Sequence, residues 1–230
     1  MPASANRRER PAKPALTRDG IVDTALRVMR AEGLQRVTMR RLAQELDTGP
    51  ASLYVYVANT AELHAAILDQ LLGEVELSPR AGENWRGRLV AVLSSYERVL
   101  YAHPALAHAA LITRPYGPHY LTLVETLLAL MDEGQIPAKQ AAWGVDVLLQ
   151  TATASATEHS ARAENASADE EWEQLTSALA GASASQHPHL NAQATNLVSG
   201  TPTERHRWSV EMQLNGILAT TCPVDKRPRS

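Results

Sequence analysis

The chain has 230 residues, 44% hydrophobic and 20% charged, enough for a small head and a larger packed core. No apolar run approaches the roughly 18 residues that a bilayer-spanning helix requires. The basic stretch from Met1 to Pro14 lacks the apolar centre of a signal peptide, so a cytoplasmic protein with no membrane partner is expected. Cys222 stands alone, which excludes an intramolecular disulfide and reads as an inert thiol in a reducing compartment.

Charge is spread unevenly. Residues 1–60 carry ten Lys/Arg against six Asp/Glu, whereas residues 61–230 carry twelve against nineteen, giving +4 and −7. A basic end on an acidic body suits a protein that meets a polyanion at one end only. Solvated surface charge would give the same count.

In chain order, residues 1–15 have three prolines and no periodicity and are expected to form a disordered basic arm. Arg7, Arg8, Arg10 and Lys13 in it either follow phosphates or a minor groove or touch nothing. A first helix is predicted from Thr17 to Ala31 with Ile21, Ala25, Val28 and Met29 buried, and Gly33 as its stop. Thr38 is a plausible N-cap for a short helix with Met39, Leu42, Ala43 and Leu46 on its apolar face. Asp47-Thr48-Gly49 breaks that helix, and Pro50 suits the first position of another, about two turns long. The pair reads as a helix-turn-helix.

The second helix of the pair has unusual chemistry for a core element. Gly49, Pro50, Ala51 and Ser52 are small enough for the backbone to come close to another surface. Tyr54 and Tyr56 can donate to phosphate oxygens, while Arg40 and Arg41 can grip a guanine edge or a phosphate with paired bonds. The plainer reading is a helical hairpin whose tyrosines fill space.

Asn59-Thr60-Ala61-Glu62 is a capping-box pattern opening a connecting helix with Leu63, Ile67, Leu71 and Val75 at steps of four. It closes the head unit, residues 16–77, before a break at Ser78–Gly82. The body, residues 83–222, reads as helix throughout. Predicted helices cover Trp85–Ala102, Pro104–Leu111, Tyr120–Met131 and Ala138–Arg162. Another opens at a capping box over Ser167–Glu170, a short one follows at Pro188–Val198, and Thr201-Pro202-Thr203-Glu204 is a strong start for the last. That last helix carries Val210, Leu214, Ile217 and Leu218 as a continuous stripe. A polar tail, 223–230, ends the chain, and no internal repeat is visible. The fold class is therefore all-α, with a three-helix head and a larger helical body.

Thr17–Gly33, Val37–Leu46, Leu53–Val57 and Glu62-Leu63 together resemble the N-terminal domain of the tetracycline-repressor (TetR) family. The resemblance covers about sixty residues and implies a DNA-binding head with a fourth helix linking it to the body. By that resemblance Arg40 and Gly49–Ser52 would face base edges, Tyr54 and Tyr56 phosphates, and Thr38 the DNA backbone. Thr60 stands where the family often has Lys. The body resembles the regulatory domain of the tetracycline-repressor branch through Trp85 and its Leu/Tyr helix, Thr113-Arg114-Pro115, and Ser199–Arg205. This implies that the Ala138–Arg162 and Thr203–Thr221 helices pair with their copies in a homodimer. Ala110 stands where that branch places a magnesium-ligating His, and the segment after the long helix matches poorly. Both departures argue against a tetracycline–magnesium effector.

The expected partners are a palindromic double-stranded DNA operator, a small-molecule effector and a second copy of the chain, with no cofactor. Apolar walls from Leu123, Leu127 and Val147, with Tyr96, Thr113, Arg114, Thr126, Gln150 and Thr151 as polar anchors, would form the effector pocket. Each of these polar side chains could equally bond to its own backbone. The eight histidines, including His103, His108 and the pair His187-Pro-His189, have no metal-site spacing, and no nucleophile elbow or phosphate loop appears. A non-enzymatic regulator is thus expected. The alternative is a ligand-binding or catalytic helical protein with a vestigial head.

Overall fold

In the computed structural model, which describes residues 15–78, 82–112 and 115–223, every regular element is helical. The predicted arm up to residue 14, Thr113, Arg114 and most of the tail lie outside those residues. The chain divides into two units, residues 1–63 and 64–230.

The first unit begins where Thr17 accepts a hydrogen bond from the Gly20 N–H and so starts α1, Arg18–Glu32. Ile21, Ala25, Val28 and Met29 are buried as their spacing predicts, and Val22 and Leu26 join them. Gly33 ends the helix at φ +89°, a conformation costly for any residue with a Cβ. Thr38 caps α2, Met39–Glu45, through the Arg41 N–H. The turn that follows is made by Asp47 at φ +49°, not by Gly49, because a short polar side chain tolerates the left-handed region.

The predicted two-turn helix is shorter than expected. The third helix, α3, covers only Pro50–Leu53. Both the Tyr56 and Val57 N–H groups converge on the Leu53 carbonyl, at 2.9 and 3.0 Å, and tighten the chain into a turn. Leu53 and Val57 are the buried anchors of that turn. The fourth helix, α4 (Thr60–Leu72), starts in the first unit and continues into the second. Its start is a shifted capping box: Asn59 accepts from the Glu62 N–H, but the Glu62 carboxylate reaches the Ala58 N–H instead of that of Asn59.

In the second unit, α5 (Trp85–Tyr101) and α8 (Ala138–Glu164) share the most extensive packing, with α6 (Pro104–Ile112) and α7 (Pro118–Glu133) against them. Leu89, Leu93, Leu100, Leu123, Leu127 and Leu148 form the centre of this core. The α7 N-terminus is held by buried Asp69 of α4, whose carboxylate accepts from the Tyr120 N–H at 2.9 Å. Helix α11 (Pro202–Ala219) lies along α8, close enough that a Cβ on Gly144 would sit 2.8 Å from Ile217 Cδ1.

Two body expectations change. The capping box at Ser167 does not form: Ser167 sits at φ −99°, ψ 6°, outside the extended region a cap needs, and Asn165 takes its N–H. Helix α9 (Ala168–Ala180) forms nonetheless, and pairs with α10 (Pro188–Leu197); neither buries a residue. The Thr201–Glu204 box does form. Of the four stripe residues it leads to, only Val210 and Leu214 are buried, leaving Leu218 and neighbouring Met212 exposed.

Candidate functional site

The head presents a small, continuous set of exposed side chains. Arg40 on α2 and Pro50, Ala51 and Ser52 on α3 are exposed, and Tyr54 and Tyr56 follow at 52% and 38% exposure. Arg40 forms no ion pair or side-chain hydrogen bond among the described residues. Gly49, at the N-cap, has φ −82°, open to any residue, and a Cβ there would meet nothing within 4 Å. Neither backbone conformation nor internal packing requires glycine at this position.

Arg41 is a different case. Its guanidinium donates to Glu32 on α1 and to Glu45 one turn along α2, both at 2.7 Å. Those hydrogen bonds, Glu32 first, raise its pKa above the ordinary arginine value, and Arg41 in turn holds Glu32 below the usual carboxylate range. With both ends of its fork occupied, Arg41 ties α1 to α2.

Among the described residues, the predicted effector side chains are not gathered around one space. Leu123 and Leu127 are fully buried in the core. Tyr96 is buried too, its hydroxyl 2.7 Å from Thr153 Oγ1, and burial pushes its pKa up to about 12. Thr126 donates to the Thr122 carbonyl, Thr151 to that of Val147, and Gln150 to the Asp146 carboxylate, so each is satisfied on its own helix. Thr113 and Arg114 lie outside the described residues. The set spreads because Val147 and Gln150 stand on exposed parts of α8 while Tyr96 and Leu123 point into the packed interior.

Two concave spaces exist elsewhere. One, of about 920 Å³, is bounded by α5, α8 and α11 with Trp172 and residues 196–200, and among the described residues Thr151 is the only predicted polar anchor on its wall. The other, about 320 Å³, lies between α8 and α11 and includes Val147 with Trp143, Gly144, Ile217 and Cys222. Sequence reading missed a linked trio, two of whose members, Glu97 and His206, line the larger cavity. Glu97 Oε2 lies 2.9 Å from His206 Nδ1, and His206 Nε2 lies 3.0 Å from Ser94 Oγ. Ser94 and His206 are 112 residues apart in the chain, so no local spacing could have signalled it.

Among the described residues no three His, Cys, Asp or Glu side chains cluster as metal ligands, and no helix is long and apolar enough to cross a membrane.

Comparison with known proteins bears on the whole chain. The description "Tetracyclin repressor-like, C-terminal domain" matches residues 78–221, and "Bacterial regulatory proteins, tetR family" matches residues 21–67. The chain belongs to the tetR family. An HTH-type transcriptional regulator of Saccharopolyspora erythraea is 36% identical over 120 residues, which take in 52% of this chain and 50% of that protein. The chain thus spans about half the length of the curated relatives matching it first.

Among solved structures, the transcription regulator SCO7704 of Streptomyces is 54% identical, with a TM-score of 0.77, covering 93% of this chain and all of the other. ActR of Streptomyces coelicolor, solved in complex with actinorhodin, is 36% identical over 90% of this chain and 97% of its own, with a TM-score of 0.78. The fold is therefore that of a tetR-family regulator, with a helix-turn-helix head and a helical C-terminal domain.

Proposed function

We propose that the chain is a homodimeric transcriptional repressor that binds a palindromic operator and releases it when a small molecule enters the body. The observation that carries this reading is the bare start of α3. A glycine that nothing inside the head calls for, followed by exposed Pro50, Ala51 and Ser52, leaves the backbone open to a close external surface. Arg40 reads a base edge beside it, Tyr54 and Tyr56 donate to phosphates, and Thr38 keeps its O–H for the DNA backbone while its oxygen caps α2. Arg41 sets the angle at which α2 carries Arg40.

Dimerisation is supported by exposed apolar side chains on two adjacent helices. Trp143 and Val147 on α8, and Met212 and Leu218 on α11, are exposed in the single chain, apolar surface that a second copy would bury as a four-helix contact. Two-fold symmetry would then set two readers about 34–36 Å apart, in successive major grooves. Release follows from linkage: an effector that favours a conformer with another reader spacing weakens operator binding by the same coupling energy that the operator imposes on the effector.

The test is selection of bound fragments from a random DNA pool, with sedimentation of the complex. A two-fold symmetric consensus bound by two chains is expected. Recovery of no consensus at low salt by a monomeric chain would refute the reading.

A further inference from the structure

Among the described residues of the head, Val55 is the most exposed large apolar side chain, at 79%. A single exposed valine needs no explanation; its place on the chain gives it one. The winding of α3 runs past the last residue of the helix. Tyr54 keeps helical angles, φ −66° and ψ −14°, and the Val57 N–H reaches back four residues to the Leu53 carbonyl at 3.0 Å. At about 100° per residue, Leu53 and Val57 share one direction, and both are fully buried. Ala51 and Val55 share the opposite direction, and both are exposed. Tyr54 and Tyr56 stand about a quarter-turn to either side, and each is partly exposed.

The outermost line of the reader is therefore two apolar side chains flanked by phenolic hydroxyls. Neither Ala51 nor Val55 carries a donor or an acceptor, so neither side chain can read the hydrogen-bond pattern of a base edge. The apolar group that a base pair presents in the major groove is the C5-methyl of thymine. Four residues of helix rise about 6 Å, less than two base steps of about 3.4 Å each. The line thus covers one or two adjacent base pairs.

We propose that Val55, with Ala51 beside it, reads the C5-methyl group of a thymine in each operator half-site. The proposal rests on the regulator reading, which has its own prior test: selection from random DNA yields a bound duplex or it does not.

The probe is that selected duplex, remade with uracil for thymine at one symmetric pair of positions at a time. Uracil keeps every hydrogen-bonding group of thymine and lacks only the methyl. Burying one methyl contributes about fourfold to affinity, and two half-sites make that about fifteenfold. Anisotropy titration of the full-length protein is expected to find a symmetric pair at which uracil costs at least fivefold. Val55→Ala should weaken the thymine duplex, bind that uracil duplex within twofold of wild type, and so cut the penalty to twofold or less. Its melting temperature should not change, because the side chain is exposed. Tyr54→Phe should weaken both duplexes alike and keep the penalty.

Uracil penalties below fivefold at every position, or a selected duplex without thymine, overturn the proposal and leave the regulator reading standing. A penalty above twofold that survives in Val55→Ala does the same, and equal weakening of both duplexes by that change would place the side chain on the sugar-phosphate backbone. A protein that selects no duplex at low salt ends both readings.

Discussion

Gly49→Ser separates what the head needs for folding from what it needs for DNA. Gly49 is the N-cap of α3 at φ −82°, ψ 145°, with no side-chain cap and no atom within 4 Å of a built Cβ. Serine adopts this conformation freely and can accept from an unpaired N–H of the first turn, worth a few tenths of a kcal/mol over glycine. The head should therefore be as stable as wild type or slightly more so. If α3 is laid against DNA, the two added heavy atoms stand where the groove must come close. Overfilling a packed contact costs about 1–3 kcal/mol, a roughly 5- to 150-fold loss in operator affinity. Fluorescence anisotropy on the selected operator measures the second quantity and urea unfolding the first. Operator affinity within twofold of wild type, with stability unchanged, would refute the assignment of Gly49 to the interface.

Other expectations follow from the same geometry. Arg40→Ala should weaken the operator by about 1–3 kcal/mol and relax selection at one base pair, with no change in melting temperature; Arg41→Ala should instead lower the melting temperature, because it removes the ties to Glu32 and Glu45. Tyr96→Phe should cost about 0.5–1.5 kcal/mol of stability, since Thr153 donates to the Leu149 carbonyl and relies on Tyr96 for its other bond. Denaturant titration checks that figure, and unchanged stability would contradict it. Glu32 is held below its ordinary value of 4.5 by Arg41, so its contribution is complete above that value and fades as pH falls through the lowered one. The stability difference between wild type and Glu32→Gln should be constant above pH 4.5 and shrink below it, and added salt should reduce it because the pair is exposed.

What the sequence made legible follows from which features are local. The α1 stripe, the cap at Thr38 and the Thr201–Glu204 box depend on residues a turn or two apart, and each forms as spacing predicts. The length of α3 was not legible, because helical periodicity over four residues looks the same as a turn anchored by Leu53 and Val57. Arg41 and Arg40 are indistinguishable as neighbours in sequence; only the fold brings Glu32 to one and leaves the other open. The effector set meets a related limit of spacing. Apolar spacing marks Leu123 and Leu127 as inward, but cannot tell a filled core from a vacant pocket. The Glu97–His206–Ser94 grouping joins α5 to α11 and has no signature in either helix alone.

The central claim is that two copies place the α3 start into successive major grooves. Hydroxyl-radical footprinting of the purified protein on its selected operator, with the complex mass from sedimentation, tests it most directly. Two protected half-sites about 10–10.5 base pairs apart, centre to centre, on one face of the duplex and bound by two chains are predicted. Protection of a single unpaired site by one chain would contradict it.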